Sequence, residues 1–231
     1  RAEGLAFGSA GGTVLEALVT SVRDIGTTVL IETSAGTITA DRAVLATGAF
    51  FAHGDTPAAS LDLTVGTHTM LTVEIPPAEA ESLADLPSLI LKPGEPGRDC
   101  FVLPPKFLPD GRAVIKIGVS HQGLRLTVDE ITAWFRTDGD PEQADRQEGL
   151  LTDLLPGLAV LGRTTAPCVT TYTPSGHPVI DDLTPRVSAV IGGNGYVAKC
   201  APAIGEIAAG RLIGEPWPTG VDRELFALPQ G

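Results

Sequence analysis

The chain has 231 residues, enough for one large domain or two small ones, and 43% of them are hydrophobic, which sustains a sizeable core. Its formal net charge of -12 argues against nucleic acid and anionic membrane as partners, since both are polyanions. No apolar run approaches the length of a membrane span, and no basic segment followed by an apolar one marks a secretory signal.

In chain order, the Gly-rich opening "RAEGLAFGSAGGT" reads as loop or frayed helix. "LVTSV" (18–22), "TVLIETS" (28–34) and "TITA" (37–40) are β-rich, with Ala35 and Gly36 as the hairpin turn between the last two. "RAVLATGAF" (42–50) reads as a buried strand that stops in a tight turn. From 63 to 126, short β candidates between Pro and Gly breakers predict an antiparallel sheet. Two helices follow. Thr127 with Glu130 three residues on forms a capping box, and Asp140-Pro141 opens the second helix. "RVSAVIGGNG" predicts a strand ending in glycines. Residues 201–214 form a helix with Ile204, Ile207, Ala208 and Leu212 on one face.

Cys100, Cys168 and Cys200 are odd in number, far apart and without zinc spacing. Free thiols in a reducing compartment, hence a cytoplasmic protein with no metal, are the expectation. Residue 1 is Arg, so the sequence is expected to begin inside a longer product.

The glycines at 193–198 spell Gly193-x-Gly195-x-x-Ala198, formally a dinucleotide fingerprint. A Rossmann unit needs a further parallel strand carrying an acid for the ribose. Glu215 has the right distance but sits in "GEPWPTG", which cannot be a buried strand, so that reading is rejected. What remains is a glycine turn open to a ligand, a helix N-terminus with free N–H groups, and the charge of Lys199.

These residues carry a resemblance. "GGNGYVAKCAPAIGEIAA" resembles the C-terminal flavin-binding segment of the monomeric sarcosine oxidase and N-methyltryptophan oxidase family, among the D-amino-acid oxidase-like flavoproteins. Lys199 stands seven residues before Glu206, as the family lysine does. "TVLIETSAGTITADRAVLATGAF" resembles the family's meander and the strand returning under the flavin. "KIGVSHQG" resembles its Lys-Leu-Gly-x-His segment. Cys168, Thr171, Thr173, Pro174, Ile180 and Asp181 match its cysteine-bearing segment.

The resemblance implies an α/β chain with an α+β substrate domain. It would be the C-terminal portion of a two-domain FAD-binding oxidoreductase that lacks the N-terminal Rossmann βαβ unit. Residues 1–62 and 172–231 would complete the FAD domain, and 63–171 would form the substrate domain. Roughly 150 or more residues, the size of an ordinary domain, are expected on another chain. Cys168 would tether FAD through a thioether. Lys116 would assist oxygen reduction as a fixed cation, its apolar neighbours on "AVIKIGVS" placing it in a low-polarity site. Thr47, Gly48, Gly193, Asn194, Gly195, Tyr196 and Lys199 would line the cofactor, and Lys199 and His121 would serve catalysis.

The sequence departs from the family pattern at Tyr196, where the family has histidine, and at Val197 and Ala198. Ser120 takes another family histidine's place, with His121 one step late and turned to the opposite face unless a bulge intervenes. His177 is either a cofactor-edge residue or a surface one. The function implied is oxidation of a secondary amine or amino acid by hydride transfer to flavin, with oxygen reduced to hydrogen peroxide. The alternatives are a dehydrogenase using another acceptor and a non-catalytic assembly subunit. A cysteine hydrolase built on Cys168 and His177 lacks an orienting third group and an oxyanion hole.

Overall fold

The computed structural model describes residues 2–95, 98–119 and 123–228. The opening forms α1 (Ala2–Ser9). β1 (Val19–Asp24), β2 (Val29–Thr33) and β3 (Gly36–Ala40) make the expected antiparallel meander. Thr33 pairs with Gly36, so the hairpin turn is Ser34–Ala35, one residue earlier than the sequence suggests. The strand expected over 42–50 is only β4 (Ala43–Leu45). Gly48, at φ +55, starts a 3-10 turn over Gly48–Phe50, and a left-handed residue cannot extend a strand.

Next come β5 (Thr64–Ile75), α2 (Pro77–Ser82), β6 (Leu89–Leu91), β7 (Cys100–Phe107), β8 (Ala113–Val119) and β9 (Arg125–Leu126). α3 (Val128–Trp134) and α4 (Pro141–Leu154) start where their caps predict. The Glu130 carboxylate accepts from the Thr127 N–H at 2.8 Å, and Asp140 accepts from the Glu142 N–H at 2.9 Å. β10 (Gly162–Tyr172), β11 (Val179–Thr184), β12 (Val187–Ile191) and α5 (Ala201–Ile213) complete the chain, with Gly214 closing α5 at φ +82. β10 escapes sequence reading because Pro167 interrupts it. Its place at the sheet edge makes the missing N–H tolerable.

The chain divides into two compact units. One contains the residues up to Leu61, Pro178–Ile191 and the residues from Lys199 on. Here β12 pairs antiparallel with β11 and parallel with β4. Asp24 ties this unit together: its carboxylate accepts from the Gly26 N–H, the Thr184 hydroxyl and the Arg186 N–H at 2.8, 2.8 and 3.1 Å. Those bonds, the one from Gly26 foremost, hold it below the usual carboxylate range. α5 buries Ile204 and Ala208, and Arg211 on it reaches Asp181 at 3.1 Å and Asp182 at 2.7 Å. Leu5, Phe7, Val14, Leu15 and Leu18 in this unit are exposed. Among the described residues no strand follows α5, and no helix is long and apolar enough to cross a membrane.

The other unit contains Asp62–His177 and Gly192–Ala198. Its sheet runs β10-β5-β8-β7-β6, with β9 also on β5. Alternation sends Leu71, Val73, Ile75, Val102, Ile115 and Ile117 to one fully buried face, packed with Ala80 of α2 and with Ala144 and Leu151 of α4. The β5–β8 register stops at Met70↔Gly118. At the next residue α4 takes over: Gln143 accepts from the Thr69 N–H, and Gln147 donates to the Thr69 carbonyl at 2.6 Å. Both glutamines are buried, so their amides satisfy backbone groups that would otherwise cost stability.

Candidate functional site

The opposite face of the six-stranded sheet carries two of the residues singled out in the sequence, Cys168 and Lys116. Directly opposed residues in an antiparallel ladder share a face. Cys168 opposes His68, Met70 opposes Gly118, and Thr72 opposes both Thr164 and Lys116. Cys168 and Lys116 therefore emerge on the same side, two strands and four residues apart, roughly 17 Å along the backbone frame. Lys116 and Leu103 on this face are exposed, while Met70, Phe101, Cys168, Thr170 and Tyr172 are half-buried.

The exposure of Lys116 corrects the expectation of a low-polarity site. Its neighbours Ile115 and Ile117 are fully buried, but the period of two puts them on the other face.

Around Cys168 the side chains are connected. His68 Nε2 and the Tyr172 hydroxyl lie 2.7 Å apart. Burial foremost pushes the Tyr172 hydroxyl above its ordinary value, with Tyr196 and Cys168 adding to the shift, so the phenol stays protonated at neutral pH. The Trp134 indole donates to the Cys168 carbonyl at 2.9 Å and fixes the backbone beneath the thiol. Cys100 is 2% exposed, and burial foremost raises its thiol. Sequence reasoning missed His68 and Tyr172. Only the strand register brings His68 to Cys168, and no motif announces it.

The glycine turn after β12 belongs to this same unit. Gly192 and Gly195 have φ +86 and +77, and Asn194 is held at φ +49. A Cβ at Gly192 would meet Thr173 Cγ2 at 2.3 Å. Asn194 is 7% exposed and pins the turn to β10. Its N–H donates to the Thr171 carbonyl at 2.9 Å, its Oδ1 accepts from the Thr173 N–H at 2.9 Å, and its Nδ2 donates to the Gly192 carbonyl at 2.6 Å. Replacing Asn194 by alanine will strand the buried Thr173 N–H and strain a left-handed residue. The loss should be about 2–4 kcal/mol by urea denaturation, and Asn194→Gly should recover about 1 kcal/mol by relieving the strain alone.

Tyr196 lies beyond Gly195, 51% exposed. Its hydroxyl accepts from Lys92 Nζ at 3.3 Å, and that ammonium lies 5.4 Å from the ring centroid. Gly193, Asn194, Gly195 and Tyr196 thus join Cys168 and Lys116 in one unit, as does His177, whose Nδ1 lies 3.1 Å from the Ser175 carbonyl. Lys199, Thr47 and Gly48 belong to the other unit. Lys199 ends a 3-10 turn over Val197–Lys199, and Thr47 precedes the turn over Gly48–Phe50. Ser120 and His121 lie outside the described residues.

The sequence model of the DAO family, FAD dependent oxidoreductase, matches residues 2–211. The chain belongs to this family. No curated protein matches it by sequence. Among solved structures it resembles NikD, an unusual amino acid oxidase essential for nikkomycin biosynthesis, with a TM-score of 0.70 at 18% identity. The match covers 98% of this chain and 58% of NikD. Glycine oxidase from Geobacillus kaustophilus matches with a TM-score of 0.64 at 18% identity, covering 98% of this chain and 55% of that one. Amadoriase I from Aspergillus fumigatus, a fructosyl amine:oxygen oxidoreductase, gives 0.63 at 20%, covering 90% and 48%. At these identities the likeness is one of fold: this DAO-family chain corresponds to about half the length of each.

FAD is the family's cofactor. The described residues fit its ring end, offering a half-buried thiol, a hydrogen-bonded imidazole–phenol pair and an ammonium on one sheet face. They do not supply its phosphate end. The Gly193-x-Gly195-x-x-Ala198 turn bonds back to β10, and no parallel strand with a ribose acid follows α5 among the described residues.

Proposed function

We propose that this chain is the substrate-side part of an FAD-dependent oxidase of the sarcosine oxidase type, acting on the CH–NH group of a secondary amine or amino acid. The observation that carries the reading is the shared face of Cys168 and Lys116, in a chain of the DAO family. The six-stranded unit is the substrate domain and the other unit completes the flavin domain. The FAD-binding portion that such an oxidase needs lies outside these 231 residues. The exposed Leu5, Phe7, Val14, Leu15 and Leu18 support a partner of this kind. The cysteines, all free, support a reducing cytoplasmic setting.

When bound, FAD accepts a hydride from the carbon beside the amine nitrogen and passes the electrons to dioxygen, giving hydrogen peroxide. This chain's residues prepare that exchange. The Cys168 thiol anchors the ring, and Trp134 holds the strand beneath it. The Lys116 ammonium supplies positive charge where negative charge develops on oxygen. The His68–Tyr172 pair keeps a protonated phenol beside Cys168.

Production of these residues together with an FAD-binding portion, on the same chain or a second one, tests this reading. A yellow complex that forms one hydrogen peroxide per amine oxidised is expected. A colourless complex would instead mark an assembly subunit.

A further inference from the structure

Three ammonium groups lie on the open sheet face. Arg23, Arg98, Arg112, Arg163, Arg211 and Arg223 each pair with a carboxylate. Lys92, Lys106 and Lys116 make no ion pair among the described residues, although the chain carries 28 acidic side chains. Lys116 opposes Thr72 and Leu103, and Lys106, beyond a bulge, opposes Val114, which shares their face. Lys92 follows β6, on the alternation that places Ile90 beside Phe101 on this face. Glu74 on the same face is already engaged by Arg112 at 3.3 Å.

Lys92 differs from the other two in being positioned. Tyr196 holds it by both hydroxyl and ring, and Tyr196 sits on a turn that Asn194 fixes to β10. Two anchored elements from opposite edges of the sheet, β6 and the turn on β10, thus converge on one ammonium. A lysine head between a phenol oxygen and a ring face keeps donors free, since an ammonium has three. An anion arriving there meets a pre-oriented charge.

We infer that Lys92, positioned by Tyr196, is a specificity determinant that selects substrates bearing a second carboxylate on the side group, remote from the reacting amine. This rests on the proposed oxidase function. Lys92 flanks the edge strand β6, two strands from β8, which carries Lys116, so it meets the substrate's far end rather than its reacting carbon. The net negative protein otherwise repels such an anion, which a local cation offsets.

The test uses the flavin-loaded complex with its N-terminal portion and two isosteric probes, N-methylglutamate and N-methylglutamine. Affinity is read by calorimetry and by anaerobic flavin reduction. Wild type should prefer the acid by about tenfold to a hundredfold. Lys92→Met should bring the two probes to within about twofold by weakening the acid alone, and Tyr196→Phe should lose part of the preference while keeping the ring contact. Preference unchanged in Lys92→Met, or no preference for the acid in wild type, would overturn the inference. A complex without flavin would overturn the oxidase reading instead, and calorimetry would still report on Lys92.

Discussion

Replacing Cys168 by alanine will remove all flavin that remains with the chain after denaturation. The intact mass of acid-precipitated wild-type chain should exceed its sequence mass by one FAD, and Cys168→Ala should return it to the sequence value. Competition between thiols favours this site. Cys100 is buried and its thiol is pushed up, which leaves little thiolate to react. Cys200 is exposed and belongs to the other unit. Cys168 is half-buried on the open face, opposite an imidazole that is itself bonded to a phenol. Tethering would join the Cys168 sulfur to the flavin 8α carbon with loss of the thiol proton and one carbon-bound proton, the two electrons passing to dioxygen. Cys168→Ser, which keeps the side-chain volume, separates loss of the tether from loss of folding. Wild-type chain at its bare sequence mass would exclude a covalent link, whatever the fate of bound flavin.

The second large effect is expected from Lys116→Met. Methionine keeps the length and apolar stem of the side chain and removes its charge. The first electron delivered to dioxygen creates an anion, and an ammonium beside it lowers that barrier. Reoxidation of the reduced enzyme by oxygen should slow by about 100- to 1000-fold. Anaerobic reduction by the amine should change by no more than about threefold, because hydride transfer creates no charge at this position. Stopped-flow absorbance separates the two half-reactions. If oxygen reoxidation survives the substitution, Lys116 is not the group that assists it, whereas slow reoxidation by oxygen already in the wild type would favour the dehydrogenase reading. The exposure of Lys116 within its own unit gives oxygen access to the charge.

Much of this architecture was legible because local chemistry and tertiary structure agree. The meander, the antiparallel sheet over 63–126, the capped helices α3 and α4, and α5 with its Gly214 terminus all follow from turn residues, caps and periodicity. β10 was not legible. Pro167 contradicts a strand locally, and only its place at a sheet edge excuses it. The shortening of β4 likewise depends on the φ of Gly48, which the letter G permits but does not dictate.

The site divides in the same way. Cys168, Lys116 and the glycine turn were singled out in the sequence through the family resemblance, and their roles are the proposal made above. His68 and Lys92 were not, because each acquires its meaning from a partner 100 or more positions away: Cys168 for His68, Tyr196 for Lys92. The environment of Lys116 was misjudged for a related reason. Apolar letters on either side of a strand residue describe the face it does not share.

The seven residues Gly192–Ala198 belong to the six-stranded unit, although the segments on either side of them belong to the other. The chain therefore stitches back and forth, and no single cut releases an intact half. A fragment ending at His177 would lose the Asn194 carboxamide that caps the Thr173 N–H. Recombinant dissection or protease nicking between Ile191 and Lys199 should accordingly loosen the end of β10 as well as the loop that was cut, coupling the integrity of the Cys168 strand to a stretch of sequence well outside it.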